Sequence, residues 1–170
     1  QTFSGTPLND DVGAINIRIT ATDTSGASAT QDFQVTVNNT NDAPVITSSG
    51  AASFSENAAG TVYTAAATDV DAGATLTYSI SGADAALFNI DATTGVVTFK
   101  SSPNYEAPGD AGGNNVYNIA VGASDGTVTT TKDVAISVTN INEGPVFTSA
   151  TTASFAETAS GAAYTAAATD

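Results

Sequence analysis

The sequence predicts an all-β chain made of tandem seven-stranded Greek-key β-sandwich repeats. Three observations carry that class. Apolar and polar residues alternate with a period of two in short runs, the signature of half-buried strands. Gly, Asn, Asp and Pro clusters punctuate these runs about every 8–14 residues, as turns between sandwich strands do. The chain also matches itself at long range: residues 44–69, PVITSSGAASFSENAAGTVYTAAATD, and residues 145–170, PVFTSATTASFAETASGAAYTAAATD, agree at 17 of 26 positions without a gap.

That repeat sets the organisation. The segment NNTNDAP at residues 38–44 returns as TNINEGP at residues 139–145, and Asn41 and Asn142 lie 101 positions apart. Residues 20–41 also resemble residues 122–142 with one residue of slippage. The expected division is the back of one repeat (1–41), one complete repeat (42–141) and the front of a third (142–170), which makes the chain a piece of a longer array.

Taken in order, the elements read as follows. Ile15, Ile17, Ile19 and Ala21 fall on one face of a first strand, and Phe33, Val35 and Val37 on one face of the next. In the complete repeat, the Ala-rich TAAATD is expected to be a strand of small side chains rather than a helix, because Thr, Val and Tyr flank it. ATLTYSIS places Leu76, Tyr78 and Ile80 together. FNIDATTG contains a turn closed by Asp91. VYNIAVGAS aligns Tyr117, Ile119, Val121 and Ala123, and DVAISVTN aligns Val134, Ile136 and Val138. Phe88, Tyr78 and Tyr117 suit core positions, and Gly95, Gly126 and Gly161 suit turns.

Composition narrows the chemistry. Seventeen acidic side chains face three basic ones, Arg18, Lys100 and Lys132, for a net charge of −14. That balance argues against nucleic acid and anionic membrane, which both require Lys and Arg. No apolar run is long enough to span a bilayer, so no direct membrane insertion is expected. With no Cys and no His, thiolate zinc sites, disulfides and histidine proton shuttles are absent. The abundant Ser and Thr have no base to activate them, so an enzyme is not expected. Oxygen ligands remain, and these suit Ca²⁺.

The acids sit at strand ends and in loops: Glu56 in FSENA, Asp69 and Asp71 in TDVDAG, Glu106 in PNYEAPG, Asp125 in ASDG, and Asp42 and Glu143 in the two linkers. Strand ends of a sandwich gather at two poles, where such carboxylates would meet. Two carboxylates about 4 Å apart repel by roughly 1–4 kcal/mol, and a divalent cation reverses that sign.

These segments resemble the cadherin repeat in its bacterial cadherin-like form. ALFNIDATTGVVTFKSSPNYE at residues 86–106 is similar to the family's F-x-I-D-x-x-T-G run followed by D-Y-E; SENA, DVD, ASDG and NNTNDAP are similar to its x-E-x, D-x-D, A-x-D-G and linker motifs, in family order. Residues 1–41 resemble the dystroglycan-type cadherin-like variant. The resemblance implies two calcium junctions. The first would use Asn39, Asn41, Asp42, Asp69, Asp71 and Asp125, with Asp10 or Asp11. The second would use Glu56, Glu106, Asn140, Asn142, Glu143 and Asp170. Asn104, Asn39 and Asn140 stand where the family has acids, and the second linker has Glu-Gly for Asp-Asn. Fewer charges imply weak sites, about 10⁻⁴–10⁻³ M. Asp110, Asn114 and Asn115 offer a separate small site.

The expected function is a calcium-rigidified, non-enzymatic extender or adhesion segment of a large secreted or cell-surface repeat protein, a bacterial adhesin. Its expected partners are neighbouring repeats of its own chain, each contacting mainly its neighbours. Polysaccharide binding, a homophilic contact and a head-to-tail extracellular fibre completed by strands in trans are the alternatives.

Overall fold

The computed structural model describes residues 2–169. Its strands are, in order, β1 (Gly13–Thr22), β2 (Ser28–Val37), β3 (Val45–Ile46), β4 (Ala51–Ser55), β5 (Thr61–Thr64), β6 (Ala67–Thr68), β7 (Thr77–Ser81), β8 (Phe88–Ile90), β9 (Val96–Phe99), β10 (Val116–Ser124), β11 (Thr129–Thr139), β12 (Val146–Phe147) and β13 (Ala168–Thr169). Short 3₁₀ turns occupy Asn9–Asp11 and Ala85–Leu87. No helix among the described residues is long and apolar enough to cross a membrane.

The fold is all-β, as the alternation predicts. A four-stranded sheet in the order β4-β11-β10-β7 packs on a three-stranded sheet in the order β5-β9-β8, which makes seven strands. β10 and β11 form an antiparallel hairpin from Val116↔Ser137 to Ser124↔Thr129, and β4 joins β11 in parallel. The period-two faces point inward: Tyr117, Ile119, Val121, Val134, Ile136 and Val138 are all buried, together with Val62, Phe88 and Val97. Phe99 links the layers, its ring 4.3 Å from Phe88 and 5.0 Å edge-on from Tyr117.

The TAAATD segment is extended, as expected, but broken. Ala65 is buried and donates its N–H to Gly95 O at 2.9 Å, while Ala67 and Thr68 leave β5 to pair with β3. Asp91 closes its turn through Oδ1, which accepts the N–H groups of Thr93 (2.8 Å) and Thr94 (2.9 Å). Gly95 completes that turn at φ 71°.

The 101-residue spacing is visible in the backbone. β3 pairs β6 with Val45↔Thr68 and Ile46↔Ala67; β12 pairs β13 with Val146↔Thr169 and Phe147↔Ala168. Tyr63 donates its hydroxyl to Ser49 O, and Tyr164 donates its own to Ala150 O, both at 2.5 Å. Equal sequence has reproduced equal local pairing. Upstream, β1 and β2 form a ten-residue hairpin of the β10–β11 kind, from Gly13↔Val37 to Thr22↔Ser28.

Candidate functional site

Strand ends place the acids at opposite ends of the sandwich, beside the two linkers. At the first linker, Asp69 and Asp71 follow β6, while Asp125 follows β10 in the hairpin turn. Asp125 has two tasks. Its Oδ1 accepts the turn N–H groups of Thr127 and Val128, each at 2.7 Å, and its Oδ2 accepts the Asn41 side-chain amide at 2.8 Å. The Val128 N–H, the Asn41 amide and the Thr127 N–H together hold this carboxyl below its ordinary pKa, so it stays ionised. The Asp42 N–H donates to Asp71 Oδ2 at 2.8 Å, and the Asp71 N–H donates to Asp69 Oδ1 at 2.8 Å.

The remaining oxygens are the telling ones. Asp69 Oδ2 and Asp71 Oδ1 are buried and have no hydrogen-bond partner. A buried carboxylate oxygen without a donor is destabilising, and a hard cation is the partner it suits. Upstream of the linker, Asp10 and Asp11 have different surroundings. Asp11 caps its own 3₁₀ turn, accepting the Leu8 N–H at 2.9 Å, whereas Asp10 lines a cleft of about 380 Å³ with Asn9, Asn39 and Val70. Asn9 was missed by the sequence reading; its amide donates to Asp42 Oδ2 at 3.1 Å.

At the second linker, carboxylate oxygens of Glu56, Glu106 and Glu143 lie within 4.8 Å of one another. Glu56 is fully buried at the end of β4. Its Oε1 accepts the Ile141 N–H at 2.8 Å, and its Oε2 accepts the Tyr105 N–H at 2.7 Å. These two donors keep its pKa below the ordinary range against the opposing effect of burial. Asn140 donates to Glu106 Oε1 at 2.7 Å, and Asn57 donates its amide to Glu143 Oε1. Asn142 turns onto its own linker, donating to the Glu143 carbonyl at 3.1 Å. Asp170 lies outside the described residues. Asn57 was also missed: nothing in SENA marks it, and its role depends on a left-handed backbone, φ 57°.

The second linker therefore brings three carboxylates together as an oxygen-only set of the kind Ca²⁺ takes, whereas at the first linker no three carboxylates converge among the described residues and the open oxygens are those of Asp69 and Asp71. In the loop at residues 107–115, where a separate small site is expected, most polar side-chain atoms bond to backbone, while Asn115 Oδ1 is buried without a partner. Asp110 accepts the Asn114 N–H (3.1 Å) and Asn115 N–H (2.9 Å), and Asn114 Oδ1 accepts the Val116 N–H at 3.0 Å. These side chains close the loop on its own backbone, the ordinary role of Asx residues.

Comparison with known proteins agrees with this architecture. Residues 51–139 match the Cadherin domain family, and residues 1–38 match the family described as Putative Ig domain. Among solved structures, EC1-3 of mouse clustered PcdhgC3 is 28% identical with TM-score 0.61, over 81% of this chain and 46% of that one. EC22-24 of mouse Cadherin-23 (23% identity, TM-score 0.61, 81% and 45%) and EC1-2 of human Protocadherin-24 (23%, 0.54, 64% and 49%) share the fold. The chain spans less than half the length of each. No curated protein matches it. The chain belongs to the cadherin domain family, whose domains are extracellular adhesion modules that typically bind calcium.

Proposed function

We propose that this chain is a calcium-stiffened spacer in a large secreted or cell-surface adhesin of tandem repeats. In this reading residues 42–141 are the complete repeat, residues 1–41 the end of the preceding one and residues 142–170 the start of the next. Absence of Cys and abundance of Thr, Asn and Ala favour a bacterial parent. Asn39, Asn41, Asp42, Asp69, Asp71 and Asp125, with Asp10 or Asp11, supply the first calcium junction. Glu56, Glu106, Asn140, Asn142 and Glu143, with Asp170, supply the second.

The observation that carries this is the pair of buried, unpartnered oxygens, Asp69 Oδ2 and Asp71 Oδ1, beside a linker whose own backbone is bonded to Asp71. A cation there would join the linker to the sandwich through groups that otherwise repel. The bound ion would supply charge compensation and multidentate bridging. The chain supplies the oxygens, the turn that aims Asp125 and the linker geometry.

The test is a thermal melt of the chain in millimolar Ca²⁺, in Mg²⁺ and in chelator. Binding confined to the folded state stabilises by about 2.7 kcal/mol at a hundredfold excess over Kd. Calcium is expected to raise Tm clearly, and magnesium much less. Superimposed melts would remove the clamp and leave the acids as a solubilising surface.

A further inference from the structure

Two of the three clustered glutamates depend on one short stretch of backbone. The Tyr105 N–H donates to Glu56 Oε2 at 2.7 Å, and the Tyr105 carbonyl belongs to the peptide bond that leads into Glu106. The peptide groups on either side of Tyr105 therefore set where both carboxylates stand. That carbonyl accepts the Asn115 side-chain amide at 2.8 Å. Asn115 is itself fixed by its backbone. Its N–H donates to Asp110 Oδ1 at 2.9 Å, and its carbonyl accepts the Val138 N–H at 2.8 Å, near the end of β11 and just before the linker.

Its neighbours in the loop close the loop on itself, but the Asn115 amide reaches back ten positions to Tyr105. Asn115 makes this contact against two unfavourable features. Its backbone is left-handed, φ 62°, which Asn tolerates less readily than Gly. Its Oδ1 is buried without a donor, because the nitrogen has to face the Tyr105 carbonyl. Glycine would remove both features and keep both backbone bonds; the hydrogen bond it would lose is the one to Tyr105. Resting on the calcium reading above, we infer that Asn115 is a positioning residue of the second calcium junction. It acts through Tyr105 and not as a ligand. It ties the peptide between Tyr105 and Glu106 to the end of β11, so that Glu56 and Glu106 face the linker already in place. Outer partners of this kind orient ligands before the ion arrives, and less ordering then accompanies binding.

Asn115→Gly tests this, because it accepts φ 62° and removes only the side chain. Residue-resolved NMR of the whole chain, titrated with Ca²⁺, reads both linkers at once. The Tyr105 and Ile141 N–H groups, both bonded to Glu56, report the second linker; the Asp42 N–H, bonded to Asp71, reports the first. The variant is expected to raise the calcium midpoint at Tyr105 and Ile141 about tenfold, the usual effect of losing an outer partner, and to leave the Asp42 midpoint unchanged. In chelator it should speed hydrogen exchange of the Tyr105 N–H about tenfold, the effect of weakening one hydrogen bond to a charged group. Asn114→Ala is the control. It removes the bond from the Val116 N–H in the same loop but leaves the Tyr105 contact, so it should lower Tm and leave every midpoint in place. Parent midpoints at Tyr105 and Ile141 in Asn115→Gly, whatever its Tm, or an equal rise at both linkers, overturn the positioning role while leaving the calcium junctions standing. Calcium that moves none of the three signals in the parent overturns the calcium reading and the affinity effect with it; exchange in chelator then decides whether Asn115 holds Tyr105.

Discussion

Single side chains here serve two masters, and Asp125 shows how. One oxygen closes the β10–β11 turn and the other meets the linker through Asn41. The same residue type at Asp23 only closes a turn, accepting the Ser25 and Ala27 N–H groups at 2.9 Å. Sequence alone presents both as an acid before a turn glycine. The difference lies in what the second oxygen faces. For Asp69, whose Oδ2 faces no donor, substitution by Asn keeps the shape and removes the charge. Asp69→Asn is expected to weaken calcium binding about tenfold by isothermal titration. Asp91 makes a separate prediction, because its carboxylate bonds only within its own turn. The Thr94 and Thr93 N–H groups lower its pKa in the folded state. A carboxyl with a lowered folded pKa stabilises above its unfolded pKa and loses that contribution as pH falls through the folded one. Asp91→Ala should therefore lower the denaturation midpoint at pH 7, and the gap from the parent should close as pH drops below the aspartate range, as urea titrations at the two pH values will read.

At the scale of elements, the turns decide where strands stop. Gly95 is the most constrained of them. It sits at φ 71°, and an added Cβ would lie 2.4 Å from Ala65 O. Ala65 is also the residue that donates its N–H to the Gly95 carbonyl and separates β5 from β6. Gly95→Ala is expected to destabilise by about 2–4 kcal/mol, combining left-handed strain with a clash against backbone. Gly113→Ala, at φ 62° with nothing within 4 Å of the added Cβ, is the control and should cost only about 1 kcal/mol. Chemical denaturation checks both; equal losses would show that the approach to Ala65 carries no weight. Another element-level contact escaped the sequence reading. Asp84 is buried and accepts the N–H groups of Ala111 (2.7 Å) and Asn118 (2.6 Å), pinning the loop at residues 107–115 to the start of β10. In SGADAAL it looks like one more turn acid.

Over the whole molecule, charge and core oppose each other. The sandwich core is apolar and closed, with Val97, Val121 and Ile136 fully buried. Around it lies a net charge of −14, with one side-chain salt bridge, Arg18 to Asp32 at 2.6 Å, among the described residues. Self-repulsion of that size weakens the compact state, and salt screens it over about 10 Å at 0.1 M. In chelator, raising NaCl from about 10 mM to about 300 mM is expected to raise Tm. In saturating calcium the same step should raise it less, because the closest carboxylates are already neutralised. Calorimetry across the four conditions decides this. A salt response that calcium leaves unchanged would place the repulsion away from the linkers.

The sequence by itself determined the strands, because a period of two has one solution when a single face is buried. Tyr117, Ile119 and Val121 are buried as their alternation demands. It also determined the repeat: β12–β13 reproduces β3–β6 at the 101-residue offset. Only the tertiary structure decided which acids meet. Glu56 and Glu143 converge across 87 positions, held there by donors from Tyr105, Ile141 and Asn57 that no local pattern announces. Period and turn chemistry are short-range and survive in a linear reading. Convergence of charges depends on where strand ends arrive after the sheets have packed, and which oxygens lack a donor is settled only then.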